Sequence, residues 1–257
     1  ARQNVEKAFT EAGTPAVSIG CELAGCAMVY FDNEKAQYAM AEHIIREHGA
    51  GRLVYLTGIM DNECPEGRQR LDGFMAACRD NRIPEENVEV IRCTWRTADG
   101  INVGKMWLRE KYPLPDPVRA DHSEMAIGLM ATLQEGGVHI PGQVLITGFD
   151  NLNSAELSST RLSTVHADNS RLDYYAADVL MQIIRGEEDR TSFPFGFEQI
   201  CSESCGCHNT PRSSMIRDLY FQQTRFLQNF YIQQDQMAED LFEASDMRDL
   251  LQIISRN

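Results

Sequence analysis

Short apolar segments alternate with longer amphipathic segments over the first 200 residues, and this alternation constrains the fold more than any other feature. The apolar segments are too short for helices and are therefore predicted as buried strands. Strands that alternate with helices form parallel sheets covered by helices. The predicted strands are 15–19, 28–31, 52–58, 88–93, 118–120, 144–147, 162–165 and 193–200, and the main predicted helices are 3–12, 33–48, 70–78, 99–111, 121–136 and 169–185.

The segment 144–151, Val-Leu-Ile-Thr-Gly-Phe-Asp-Asn, ends one of these strands. Its glycine is expected to let the chain turn without steric cost. Asp150 then follows the carboxyl end of the strand, which is where open α/β sheets bind their ligands. The sequence therefore predicts a binding cleft facing this strand end.

Charge and cysteine content narrow the class of protein. The net charge is −14 and the pI is about 4.8, so the chain lacks the basic surface of a nucleic-acid-binding domain. Its 8 cysteines are spread along 257 residues, which favours a reducing compartment. No apolar run reaches the length of a membrane span, and no signal peptide is visible. These features predict a cytoplasmic protein without direct nucleic-acid or membrane contacts.

The region 215–244 has no glycine, no proline and no strand pattern. Apolar residues recur in steps of three and four, interrupted by Gln223 and Gln234, which is a heptad pattern. A packing helix within one chain is one interpretation. A two-stranded coil in a homodimer is favoured because the apolar residues exceed what one lobe would cover. A shorter helix is predicted at 247–254. The predicted dimer contacts are Tyr220, Leu227, Phe230, Met237 and Leu241.

Several motifs occur in an order typical of one family. Together they span about residues 1 to 205, and the ordered set is more specific than any single motif. The chain resembles the effector-binding domain of the lactose-repressor family, which has a periplasmic-binding-protein-like fold. The matching segments are Pro15-Ala-Val-Ser-Ile19, Asp32-Asn33, the strand at 52–58, Arg70-Leu-Asp-Gly-Phe74, Met125-Ala-Ile-Gly128, Ile140-Pro141, Gly148-Phe-Asp150 and Leu162-Ser-Thr-Val165.

The resemblance implies two α/β lobes with parallel sheets, joined by three crossover strands, with the ligand between them. Relative to the family, the first lobe is incomplete. Residues 1–208 are expected to form the two-lobed ligand-binding domain and 209–257 a helical dimerisation or signalling segment. Lobe one would comprise about 1–50 and 166–190, and lobe two about 51–165 and 191–208. The C-terminal part resembles sensor proteins that carry a GGDEF diguanylate cyclase or an AraC-type output domain.

The resemblance places ligand contacts at Asp150 and Arg70. A carboxylate at this position can accept paired hydroxyls from a sugar-like ligand or pair with a cation. The alternative is that Asp150 only caps the following turn. The planar guanidinium of Arg70 suits carboxylates, vicinal hydroxyls or purine edges. The alternative is a surface arginine that pairs with Asp72 or Glu66.

Three further residues are candidate ligand contacts. Trp95 follows a strand end and would serve as a stacking platform or as a lobe-core residue. His122 and Ser123 stand where the family usually has an Asn-Asp or Gly-Asp pair, which implies a different ligand. His122 would face the cleft or cap the next helix. Cys21 follows the first strand at a position where polar or aromatic ligand contacts are expected in relatives; the alternative is that this small residue only leaves space.

A cysteine-rich segment, Cys201, Cys205, Cys207 and His208, offers side chains that bind zinc. The usual Cys-x-x-Cys spacing is absent, and Cys201 is predicted to lie within a strand. Small thiols packed at the junction with the C-terminal helix are the favoured interpretation, so no metal or cofactor is predicted.

The combined pattern predicts a ligand-sensing domain of a bacterial transcription regulator. No phosphate-binding loop, nucleophile elbow or zinc-protease motif is present, so this chain is not expected to be an enzyme. The expected ligand is a small polar molecule, sugar-like or nucleoside-like, and the signal would pass through a dimeric C-terminal helix. The sensory domain of a diguanylate cyclase and an exported solute-binding protein are the alternatives.

Overall fold

Two parallel sheets and one small antiparallel pair make up the structure. It is a computed structural model that describes residues 13–58, 65–111, 117–120, 122–151 and 158–207, with Glu6, Lys7, Phe9, Leu114 and Ala155. The strands are β1 Val17–Ile19, β2 Ala27–Phe31, β3 Leu53–Thr57, β4 Val88–Arg92, β5 Pro117–Ala120, β6 Leu145–Thr147, β7 Thr164–His166, β8 Ser192–Phe195 and β9 Glu198–Ile200. The helices are α1 Asn33–His48, α2 Pro65–Asp80, α3 Thr97–Glu110, α4 Ser123–Glu135 and α5 Asn169–Arg185, with short 3-10 helices at Glu85–Asn87 and Glu203–Cys205.

The first lobe contains the sheet β1-β2-β8, in which all described pairings are parallel. Helix α5 packs on this sheet through an apolar stripe that includes Leu172, Ala176 and Val179, and these side chains meet Val29 and Phe193. Asp168 caps the helix by accepting a hydrogen bond from the amide of Arg171. The described part of this lobe is therefore one helix layer on a three-stranded sheet.

The second lobe contains the parallel sheet β4-β3-β5-β6. Side chains of β3 alternate between its two faces, as the pleat of a strand requires. Val54 and Leu56 pack with α3 and α4, whereas Leu53 and Tyr55 pack with α1 and α2. The sheet is therefore covered on both faces, and the predicted α/β fold with parallel sheets is confirmed.

The lobe boundaries differ from the expected ones at two places. Helix α1 packs beside α2 in the second lobe. The chain therefore first passes from one lobe to the other between Phe31 and Asn33, rather than near residue 50. The single strand predicted at 193–200 is two strands that belong to different sheets. β8 completes the first lobe, whereas β9 pairs antiparallel with β7. A strand pattern alone does not show that its ends pair with different partners.

Part of the prediction lies outside the described residues. This applies to most of the helix at 3–12, to Asp121 and His208, and to the segments 215–244 and 247–254 with the predicted dimer contacts Tyr220, Leu227, Phe230, Met237 and Leu241. Among the described residues, no helix combines the length and the apolar character that a membrane crossing requires.

Candidate functional site

Asp150 stands on a strained turn after β6. Asp150 has φ of 79° and Asn151 has φ of 47°, in the left-handed region that side chains other than glycine seldom adopt. The Asn151 amide donates to Thr164 Oγ1 at 3.2 Å. Gly148, expected to provide the turn, is needed for space instead, because a Cβ there would lie 2.8 Å from Leu162 Cδ2. Strain of this kind is found at binding sites more often than elsewhere.

Arg70 reaches Asp150 from helix α2 and forms a two-pronged ion pair. Nη2 lies 3.1 Å from Oδ1 and Nη1 lies 3.5 Å from Oδ2. The guanidinium carbon lies 3.9 Å from the centroid of the Phe149 ring, which adds a cation–π contact. The Arg70 side chain is only 10% exposed. The guanidinium is therefore a fixed part of the site rather than a mobile surface group.

The third nitrogen of the Arg70 guanidinium, Nε, bonds to Asn33. Asn33 was not among the predicted ligand contacts. Arg70 Nε donates to Asn33 Oδ1 at 3.0 Å, and Asn33 Nδ2 donates to Phe31 O at 3.4 Å. Gly73 makes this approach possible, because a Cβ there would lie 2.1 Å from the carbonyl oxygen of Glu34. The sequence signal for this role is the Asp32-Asn33 segment, which the family resemblance includes without making it a ligand contact.

His122 contacts Asp150 from the other side. Its Nε2 lies 3.3 Å from Asp150 Oδ2, and its Nδ1 accepts a hydrogen bond from the Glu124 amide at 3.3 Å. The imidazole therefore caps helix α4 and faces the carboxylate at the same time. Because Nδ1 accepts, the neutral ring carries its proton on Nε2 and donates to Asp150.

Trp95 follows β4 at φ of 65°, and its indole covers Gly58 at the end of β3. A Cβ on Gly58 would lie 1.4 Å from Trp95 Nε1, so only glycine fits beneath the ring. Asp99 shapes this loop by accepting hydrogen bonds from the Thr94 amide and hydroxyl, both at 2.8 Å. Burial acts to raise the pKa of Asp99, but these hydrogen bonds outweigh it and the pKa is lowered. Trp95 packs against the core of the second lobe.

The remaining candidates lie elsewhere. Cys21 is exposed on the turn after β1 in the first lobe. Cys205 and Cys207 lie near the end of α1, with Cys201 close by, and His208 lies outside the described residues. Three of the five residues predicted to contact the ligand form one constellation, in which Arg70 and His122 both contact Asp150. Trp95 and Cys21 are not part of it.

An open cleft of about 600 Å³ lies along strands β7 and β9, and its lining does not include Arg70, Asp150 or His122. Its size is in the range of small-molecule sites. Asn151, which follows Asp150 in the chain, lines it together with one basic and one acidic residue, Arg161 and Glu198. The lining residues are Asn151, Arg161, His166, Glu198, Gln199, Ile200 and Cys201.

Charge balance restricts what the constellation can bind. Arg70 and Asp150 neutralise each other, and both remain partly accessible, with side-chain exposures of 10% and 21%. A free anion or cation would have to compete with an existing partner. A neutral ligand with several hydroxyl or amide groups would add hydrogen bonds to both charges without breaking their pairing.

Comparison with known proteins identifies a family for this chain. Residues 41–195 match the family described as periplasmic binding protein-like domain. The HTH-type transcriptional repressor PurR of Vibrio atlanticus is 27% identical over 170 residues, which cover 66% of this chain and 49% of that protein. The arabinose metabolism transcriptional repressor of Geobacillus stearothermophilus is 25% identical over 162 residues, or 62% of this chain and 43% of the repressor. The chain thus spans about half the length of these curated relatives.

Solved structures show the same fold. A LacI family transcriptional regulator from Enterococcus faecium with bound ribose superposes with a TM-score of 0.67 at 20% identity, covering 79% of this chain and 75% of that one. The Escherichia coli transcriptional repressor ascG also gives 0.67, at 22% identity, with coverage of 79% and 74%. These relatives are transcriptional regulators rather than enzymes.

Proposed function

The chain belongs to the periplasmic binding protein-like domain family, in the branch that includes lactose-repressor-type regulators, and from this membership we propose that it senses a small polar molecule for a bacterial regulator. The observation that carries the proposal is the constellation of Arg70 and His122 around the Asp150 carboxylate. The whole protein would use this domain to make the output of a second region depend on ligand.

The proposed ligand is neutral and rich in hydroxyl groups, such as a sugar or the ribose part of a nucleoside. The Asp150 carboxylate would accept two neighbouring hydroxyls, and the Arg70 guanidinium would donate to a ring or hydroxyl oxygen. This assignment rests on the mutual neutralisation of the two charges and on their partial exposure. One similar solved structure is described with bound ribose, and one relative is named an arabinose metabolism repressor, which supports a sugar-like ligand.

The proposed signal begins with a chain of hydrogen bonds that links the two lobes. Asp150 contacts Arg70, Arg70 contacts Asn33, and Asn33 donates to the carbonyl of Phe31 at the end of β2. A ligand that binds Asp150 would bias this chain and so favour one arrangement of the lobes. A ligand shifts such an equilibrium only through its differential affinity for the two arrangements.

Asp150→Asn tests the ligand site. We expect it to weaken binding of the preferred sugar or nucleoside about 10- to 100-fold, because a hydrogen bond to a charged acceptor contributes about 1.5 to 3 kcal/mol. Isothermal titration calorimetry with pentoses, hexoses, nucleosides and free amino acids would identify the ligand and measure the loss.

Asp72→Asn is the matched control, because Asp72 lies on the same helix as Arg70 but pairs with the exposed Arg68. The Asp72→Asn variant should bind the ligand with the affinity of the unmodified chain. Equal affinity of the Asp150 and Asp72 variants for the identified ligand would show that the site lies elsewhere.

We also propose that 215–244 pairs with a second copy of the chain. The heptad pattern supports this, and the interface would require apolar residues along its seam. Leu227→Asp should convert the dimer to a monomer in sedimentation equilibrium, because it places a charge in that seam. Asn229→Asp adds the same charge off the seam and should leave the dimer intact. A dimer that survives Leu227→Asp would contradict this assignment.

A further inference from the structure

Two histidines and two cysteines that the ligand site does not use meet at the end of helix α1. His43 and His48 lie in the last turns of α1, and Cys205 ends the 3-10 helix Glu203–Cys205. Cys207 follows after Gly206, whose φ of 87° folds the turn back towards the helix. One ligand atom from each of the four side chains lies within 4.8 Å of all the others.

The separations are those of a tetrahedral metal site. The two Nε2 atoms are 3.3 Å apart. Cys207 Sγ lies 3.5 Å from His43 Nε2 and 3.4 Å from His48 Nε2, and Cys205 Sγ lies 3.9 Å from His43 Nε2. Zinc bound at about 2.1 Å to nitrogen and about 2.3 Å to sulfur separates its ligands by about 3.4 Å for two nitrogens and about 3.6 Å for nitrogen and sulfur.

Hydrogen bonding alone satisfies this arrangement poorly. Both imidazoles present Nε2 to each other and to the same sulfur. Each Nε2 carries a single N–H or a single lone pair, directed along one axis, yet each faces two partners, so the three short separations cannot all be well-directed hydrogen bonds. A cation at the centre removes this conflict because all four atoms then act as donors of electron pairs.

We propose that His43, His48, Cys205 and Cys207 form a structural site for a divalent transition metal of the zinc class. Two imidazoles and two thiolates are a ligand set that this class of metal favours over calcium or magnesium. Four protein ligands close the coordination sphere, which distinguishes a structural site from a catalytic one with an open position.

The surroundings shield the proposed sulfur ligands from water. Cys205 is fully buried, and Cys207 is half-buried. Metal binding would displace the protons that remain on these groups.

The position of the site gives it a structural consequence. Asn33, the first residue of α1, contacts Arg70 of the ligand site, and His48 is the last residue of the same helix. Because a helix rises 1.5 Å per residue, the two sites are about 22 Å apart. The metal would fasten the turn at 205–207 to the far end of a helix that begins at the ligand constellation.

Cobalt and zinc titrations of the full chain, reduced and stripped with a chelator, test this proposal. We expect one ion per chain by mass spectrometry of the metal content. Co²⁺ should give the intense absorption of a tetrahedral site with thiolate-to-metal charge transfer. Zinc should raise the Tm by about 5 °C, as tight binding to the native state requires.

Single substitutions identify the ligands. Cys207→Ser and His48→Gln should each weaken zinc binding at least about 100-fold, measured against a competing chelator, while circular dichroism verifies folding. Cys21→Ser and His139→Gln, at exposed positions, should bind zinc with the affinity of the unmodified chain. The zinc affinity of Cys201→Ser should lie within about threefold of that value.

Three results would overturn the proposal of a metal site. The first is a Co²⁺ spectrum without thiolate charge transfer. The second is zinc affinity that is the same in Cys207→Ser, His48→Gln and the two exposed controls. The third is a disulfide among these cysteines that persists in the presence of reductant and excludes metal.

Discussion

Gly100→Val should destabilise the fold by about 3 kcal/mol, because helices α3 and α4 approach each other too closely at this residue for any side chain. A Cβ on Gly100 would lie 2.0 Å from the carbonyl oxygen of Met125 and 2.7 Å from the amide nitrogen of Leu129. Both atoms belong to the backbone, so a rotamer change cannot relieve the clash and the helices must separate. Urea unfolding followed by circular dichroism would measure the loss.

Gly51→Val is the control for this substitution. Gly51 lies in an open position before β3, where an added Cβ has no heavy atom within 4 Å. We expect its stability to remain within about 0.5 kcal/mol of the unmodified chain. Equal stability of the Gly100 and Gly51 variants would mean that the two helices do not pack as described.

Ser163→Ala should cost about 2 kcal/mol, because it removes the acceptor of the buried Ser202 amide and leaves the Cys205 amide only its longer bond to the Ser202 carbonyl, at 3.4 Å. Ser163 Oγ accepts from the Ser202 amide at 2.9 Å and from the Cys205 amide at 3.2 Å. Ser163, Ser202 and Cys205 are all completely buried. These bonds attach the end of the described chain to the start of crossover strand β7. The free energy of unfolding in urea would show the effect.

Ser159→Ala provides the matched comparison, since the exposed Ser159 donates only a surface hydrogen bond to Gln134 Oε1 at 2.9 Å. It should change stability by less than about 0.5 kcal/mol. If Ser163→Ala were equally mild, the Ser163 hydroxyl would not be the acceptor that holds residues 202–205 in place.

The sequence predicted most elements because their signals are local. Apolar runs mark β3 and β6, and helical spacing marks α1 and α5, for which the structure then shows the aspartate caps Asp32 and Asp168. The prediction of strands was wrong where the pairing between strands decides how a segment is divided. The pattern at 193–200 is continuous, yet β8 joins the first lobe and β9 joins β7, because the chain crosses between the lobes at this point.

The ligand site was predictable only in part. Asp150 and Arg70 were chosen from their motifs, but their 3.1 Å contact joins residues 80 positions apart. Asn33 was missed because an asparagine beside a helix start is normally assigned to capping. Its role depends on Gly73, whose missing side chain lets the two helices approach.

The sequence by itself determined the α/β class, the order of the elements and the strand end that carries Asp150, since hydrophobic period and turn residues are local properties. Only the tertiary structure decided which distant side chains meet. It placed Asn33 against Arg70 and His122 against Asp150. It also brought Cys205 and Cys207 to His43 and His48, about 160 residues earlier in the chain, rather than leaving them to pair only with their neighbours. Such meetings depend on how helices and sheets pack, and side-chain packing over long sequence separations leaves no signal in a single sequence.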